Sequence, residues 1–182
     1  MRKTTYAFLI GLVSIALFAD HVCAEIEGIQ LQVDGLSCPF CAIGIQKQLK
    51  QTGGLEEIEV HLKQGVTEAR LPLGKGIDVG KVRRAVQEAG FTLRGIKLAV
   101  TGYVTQANGH LAITSRGDNT QFLLFDPKHR EAESDVFLED PLRRKLEQAR
   151  EAGSVVRVSG AVHEHQGLPP ALMIETLEAV PE

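Results

Sequence analysis

Two cysteines separated by two residues, Cys38 and Cys41, are the side chains of this sequence best suited to chemistry. Two thiols at this spacing, where a loop meets a helix, can bind one soft metal ion or form a disulfide with each other. Thiolates are soft donors, which favour cations such as Cu(I) or Hg(II) over hard ions. The spacing alone is compatible both with metal binding and with disulfide formation.

The N-terminus has the features of a secretory signal peptide. Arg2 and Lys3 precede an apolar stretch over residues 6–19, and Val22-Cys23-Ala24 ends in a predicted cleavage site after Ala24. The apolar stretch is shorter than the roughly 20 residues that a membrane-spanning helix needs. We therefore expect residues 1–24 to be removed and the mature protein to reside in a periplasm, without stable membrane insertion. Cleavage would leave Cys38 and Cys41 as the only cysteines.

The charge balance argues against a nucleic-acid partner. Residues 25–182 contain 18 Lys and Arg against 22 Asp and Glu, and residues 98–182 contain 8 against 13. Phosphate binding needs clustered positive charge, which neither half of the chain offers. The sequence also has no serine nucleophile motif, no phosphate loop and no convincing pair of carboxylates. We therefore expect a binding protein rather than an enzyme.

The elements that would position the cysteines follow from the apolar periodicity. Alternation over residues 29–33 predicts a strand before them, and the four-residue spacing of Cys41, Ile45 and Leu49 predicts a helix after them. Two strands, a second helix and a last strand follow. This βαββαβ order predicts an antiparallel sheet with two helices on one face, a ferredoxin-like domain over residues 25–97.

Later residues of this first domain set further expectations. The third strand is predicted to run through Leu71 to Leu73, and Asp78 is expected to cap the second helix, which Gly90 ends. Phe91 begins the last strand. An aromatic residue at this position either belongs to the core or covers the cysteine pair.

The pattern Gly35-Leu36-Ser37-Cys38-x-x-Cys41-x-x-x-Ile45-x-x-x-Leu49 extends to Gly54-Leu55-x-x-Ile58-x-Val60 and to Ala89-Gly90-Phe91. Together these segments resemble the signature of heavy-metal-associated domains, which occur in copper chaperones, metal-transporting ATPases and periplasmic mercury-scavenging proteins.

The resemblance implies that Cys38 and Cys41 bind the metal, with Cu(I) ranked before Hg(II) and Zn(II) as a further candidate. It also implies that the protein captures the metal or transfers it to a membrane metal transporter or another periplasmic metal-binding protein. Leu36 stands where the family usually has a methionine that packs under the cysteine loop. The apolar plug under the loop is therefore kept, but its sulfur is lost.

Two alternatives remain open. Pro39 makes a Cys-Pro-aromatic-Cys segment, which also occurs in glutaredoxins and favours thiol–disulfide exchange. That function would need a cis proline facing the cysteines, and Pro72 is the only proline nearby. The other alternative is a partner-binding module that acts through the C-terminal part of the chain, with the cysteines vestigial or bridged.

Residues 98–182 predict a second domain. Alternation over 98–104, a hairpin turn at Asn108-Gly109 and strands over 111–113 and 122–125 come first. A helix opened by Asp140-Pro141 and two more strands then complete the order of an OB-fold barrel. The expected fold class is therefore α+β, a ferredoxin-like domain followed by a small OB-fold-like barrel.

His163 and His165 form an H-x-H pair on the predicted fourth strand of the barrel. Alternation along a strand would direct both side chains to one face. Paired imidazoles there could add a site for Cu(II) or Zn(II), or they simply belong to a solvated face.

Overall fold

The fold is α+β. The computed structural model describes residues 26–72, 74–126, 138–164 and 169–180, and within them the chain forms eight strands and three helices. The elements are β1 (Ile26–Asp34), α1 (Pro39–Gln51), β2 (Glu56–His61), β3 (Val66–Arg70), α2 (Val79–Glu88), β4 (Thr92–Ala107), β5 (His110–Ser115), β6 (Gln121–Phe125), α3 (Asp140–Ala152), β7 (Val155–His163) and β8 (Ala171–Ala179). The predicted signal peptide and the histidines His129 and His165 lie outside these residues. None of the described helices is both long and apolar enough to cross a membrane.

The first four strands form an antiparallel sheet in the order β2-β3-β1-β4. Both α1 and α2 pack on this sheet and against each other. Each helix buries one apolar stripe, which includes Ile45 and Leu49 in α1 and Val82 and Val86 in α2. The helix predictions are therefore confirmed. Strand β3 ends at Arg70, before the predicted Leu73, which is not among the described residues.

Strand β4 pairs with three other strands of one eight-stranded sheet. Its first part pairs with β1, its middle part over residues 97–103 pairs with β7, and its last part pairs with β5. The sequence pattern predicts two separate strands here, with a domain boundary at 97/98, whereas the structure has one strand of 16 residues. The two halves of the described chain are therefore joined by continuous backbone pairing.

The strands β4, β5, β6, β8 and β7 close into a barrel, because β7 pairs both with β8 and with β4. The expected OB-like barrel is thus confirmed within the described residues. Positive φ angles at Asn108 and Gly109 make the predicted tight turn between β4 and β5. Helix α3 packs against β4 with Leu146 fully buried, and Gly153 ends it in the left-handed conformation.

Ion pairs reinforce the junction between the first sheet and the barrel. Arg83 of α2 donates from Nε to the Glu164 carboxylate just after β7, at 2.9 Å. Lys97 of β4 lies 2.7 Å from the carboxylate of Glu175 on β8. The buried apolar side chains of both halves also form one continuous cluster. The first sheet and the barrel are therefore joined by ion pairs as well as by a common core.

Candidate metal and thiol site

The cysteine loop begins where β1 ends, and Gly35 makes the turn. Gly35 has φ of +92°, a conformation that side-chain-bearing residues rarely adopt. The ring of Phe91 lies against it, so a Cβ on residue 35 would be 3.3 Å from Cδ1 of that ring. Phe91 is half-buried and packs on the core. The side chain thus fills the core and also borders the cysteine loop.

Two further contacts hold the loop to the sheet. Leu36 is buried, which places an apolar plug beneath the loop as the sequence predicts. Asp34 forms an ion pair with Arg94 of β4. Arg94 is the extra residue of a bulge, because Val33 pairs with Leu93 whereas Gln32 pairs with Gly95. Both contacts therefore hold the end of the loop that follows β1.

Cys38 is the N-cap of α1. Its backbone is extended, and its sulfur accepts a hydrogen bond from the backbone N–H of Cys41 at 3.2 Å. Pro39 occupies the first helical position, where a missing N–H costs nothing because it would have no partner within the helix. The unpaired N–H groups and the dipole at a helix start favour negative charge. Helix starts of this kind are a common position for reactive cysteines in proteins.

Cys38 and Cys41 are joined by a disulfide in this structure, with their Cα atoms 5.2 Å apart. Both residues are partly exposed. The sequence-predicted site residues are thus brought together at the protein surface, in their oxidised form. Pro72 follows β3 and its peptide bond is trans, like every other peptide bond described.

The surface next to the disulfide is apolar. Phe40 is 84% exposed and Ile43 is 63% exposed, and these are the large hydrophobic side chains that the described surface leaves in water. They lie three residues apart on α1, opposite Ile45 and Leu49. The patch is not among the predicted site residues, although a helical projection of residues 39–51 separates it from the buried stripe.

Two grooves with charged side chains in their lining lie between the first sheet and the β7–β8 pair, with volumes of about 540 and 710 Å³. Lys97 and Glu175 line both grooves. Other charged side chains there also pair with each other, as Arg83 does with Glu164 and Arg70 with Glu57. This internal pairing leaves the grooves without an evident ligand.

The described histidines build no metal cluster. His163 ends β7 and is partly exposed in the larger groove, whereas His165 is not among the described residues, so the predicted H-x-H pair stays a prediction. His61 lies 3.8 Å from the Glu68 carboxylate. Within the ranges that the structure describes, no three His, Cys, Asp or Glu side chains converge on one point.

The chain matches no protein-family model, no curated protein and no solved structure.

Proposed function

We propose that this protein binds a soft metal ion through Cys38 and Cys41 and passes it on, with Cu(I) ranked before Hg(II) and Zn(II). The observation that carries the proposal is the surface position of the two cysteines at the start of α1, where the Cys41 N–H already contacts the Cys38 sulfur. Two thiolates are suitable ligands for a soft cation. Because they lie at an exposed helix start, the thiol of a partner protein can reach the bound metal.

The arrangement around the cysteines supports the same proposal. The βαββαβ order, the strand order β2-β3-β1-β4 and the two helices agree with a ferredoxin-like domain of the heavy-metal-associated kind. The apolar N-terminal sequence supports export to the periplasm. A membrane metal transporter or another periplasmic metal-binding protein would receive the cargo.

Metal binding requires reduction of the bridge. Two electrons and two protons convert the disulfide into two thiols, and the metal then replaces thiol protons as it binds. An oxidising compartment therefore opposes loading unless a reductant acts on the pair. Both cysteines are partly exposed, which leaves the bridge accessible to such a reductant.

Competition with a Cu(I) chelator tests the proposal. Protein reduced under anaerobic conditions should remove one Cu(I) per chain from the chelator. A Cys38→Ser, Cys41→Ser double variant should not, whereas His163→Ala should bind like the parent. Equal binding by the double variant and the parent would reject the proposal.

Thiol–disulfide exchange is the second candidate, and the Cys38–Cys41 bridge is the observation that favours it. Equilibration with defined ratios of reduced and oxidised glutathione gives the reduction potential. A potential within the range of disulfide oxidoreductases, together with turnover of a disulfide substrate, would favour exchange over metal binding. A bridge that turns over no substrate would exclude it.

A further inference from the structure

The exposed apolar patch beside the disulfide needs a physical reason. Phe40 and Ile43 leave most of their apolar surface in water, although burying either side chain would be favourable. Both lie on one helix face within two residues of a cysteine. A patch that is retained next to a reactive pair is typical of a surface that is buried when a partner binds.

The same face of α1 continues as a basic stripe. Lys47 and Lys50 follow Ile43 at helical spacing and are exposed, and α1 contains no acidic residue. No described carboxylate forms an ion pair with either lysine. The whole chain has a formal net charge of −3, so this stripe has the opposite sign to the rest of the protein.

From these observations we propose that the outward face of α1 docks a thiol-bearing protein whose surface is apolar beside its thiol and acidic around it. The docking face consists of Phe40, Ile43, Lys47 and Lys50. The apolar pair would be buried in the complex, and the lysines would steer the acidic partner into register. The proposal rests on the proposed function, since the partner's thiol exchanges with Cys38 or Cys41.

An anionic membrane is the competing occupant, and the charges disfavour it. Two lysines near such a surface contribute little, since recognition of anionic lipid usually takes a cluster of roughly four or more. The net negative charge of the chain opposes approach to anionic lipid. Two apolar side chains also make a small anchor compared with an amphipathic helix that lies in a membrane.

Two short peptides, each with one cysteine, provide the probe. Both have leucines beside the cysteine, with flanking glutamates in one and flanking lysines in the other. The peptide thiolate attacks one sulfur of the oxidised protein, the other sulfur leaves as a thiolate, and a mixed disulfide forms. Rapid acid quenching and mass spectrometry give the rate, and glutathione serves as the small reference thiol. This reaction does not involve metal.

In the parent protein the acidic peptide should react about tenfold faster than the basic one at low salt. The preference should vanish near 1 M salt, where charges are screened beyond roughly 3 Å. The double variant Lys47→Glu, Lys50→Glu should react faster with the basic peptide than with the acidic one. Arg144→Glu with Lys145→Glu on α3 is the matched control, since it changes the net charge equally at another exposed site and should preserve the preference. Ile43→Ser should slow both peptides relative to glutathione.

Three results would overturn the proposal. These are equal rates for the two peptides with the parent, an equal loss of preference in the α3 control, and sedimentation with phosphatidylserine vesicles that depends on Phe40 and Lys47. Failure of the proposed function is detected separately, because Cu(I) affinity is measured by chelator competition on the reduced parent protein.

Discussion

The ring of Phe91 lies against Gly35, close enough that a Cβ on residue 35 would be 3.3 Å from ring atom Cδ1. The contact joins the residue before β4 to the loop that carries Cys38. It explains why a glycine stands there on two independent grounds, the positive φ and the missing space. Loop position and core packing are therefore coupled at this point.

Gly35→Ala should lower the free energy of unfolding by about 1–2 kcal/mol, because alanine is strained at this φ and crowds the ring. Gly44→Ala is the matched control. Gly44 is exposed within α1 and a Cβ there meets nothing within 4 Å, so alanine should raise stability by up to roughly 1 kcal/mol. Urea unfolding of the oxidised proteins measures both. Equal effects of the two substitutions would contradict this account.

The sequence predicts the local parts of this fold and misses one tertiary feature. Asn108-Gly109 and Asp78 adopt their predicted roles, because turn and cap chemistry depends on neighbouring residues alone. The pattern predicts two strands with a boundary at 97/98, whereas in the structure β4 continues through that point. Its pairing with β1 reaches Val100 and its pairing with β7 begins at Lys97, so partners on both sides continue across the predicted boundary.

The cysteine site likewise has one part that the sequence predicts and another that it does not. The spacing of Cys38 and Cys41 predicts that they meet, whereas their redox state depends on the environment and not on the pattern. The ion pair between Asp34 and Arg94 could not be predicted, since 60 residues separate the partners and Arg94 is the extra residue of a bulge that the pattern does not predict.

The second prediction concerns Thr67, whose hydroxyl is buried without a hydrogen-bond partner among the described residues. It lies on β3 between Leu31 and Val60 of the neighbouring strands. Thr67→Val keeps the shape and removes the unpaired hydroxyl, so the free energy of unfolding should rise by about 1 kcal/mol.

Thr105→Val is the control for this substitution. The Thr105 hydroxyl shares a hydrogen bond of 2.8 Å with that of Thr114, so its loss should cost about 0.5–1.5 kcal/mol. Urea midpoints at constant m-value compare the two variants. Destabilisation by both substitutions would show that the Thr67 hydroxyl does have a partner.

The third prediction is that the two halves of the described chain unfold together, because β4 pairs with strands of both and one apolar cluster spans them. Leu49→Ala in α1 and Leu146→Ala in α3 each remove a fully buried side chain, at a cost of about 2–5 kcal/mol. Each should lower the melting temperature of the whole protein in a single transition.

Tyr103 makes this prediction testable, since it is the only tyrosine after residue 24 and lies in the barrel. In protein starting at Glu25, its fluorescence should report a lower melting temperature for Leu49→Ala, a substitution in the other half. The shift should match the one measured by far-ultraviolet circular dichroism. An unchanged fluorescence transition would mean that the halves unfold independently.

The fourth prediction concerns the cap of α2. The Asp78 carboxylate accepts a hydrogen bond of 2.9 Å from the backbone N–H of Lys81, and this bond is the main cause that lowers the pKa of Asp78 below its usual 3.8. A carboxyl group with a lowered pKa in the folded state stabilises the protein above the pKa of the unfolded state. That contribution is lost as the pH falls through the lower, folded-state pKa.

Asp78→Ala should therefore lower the free energy of unfolding by about 1 kcal/mol at pH 7, and by less at pH 3 and below. Asp78→Asn keeps a side-chain acceptor for the Lys81 N–H but cannot titrate, so it should cost little at pH 7 and lose no cap on acidification. Urea midpoints are measured at both pH values, and each variant is compared with the parent at the same pH. The contributions of all other acidic groups cancel in this difference. A gap between parent and Asp78→Ala that is equally wide at pH 3 and pH 7 would show that the charge of the carboxylate does not contribute to the cap.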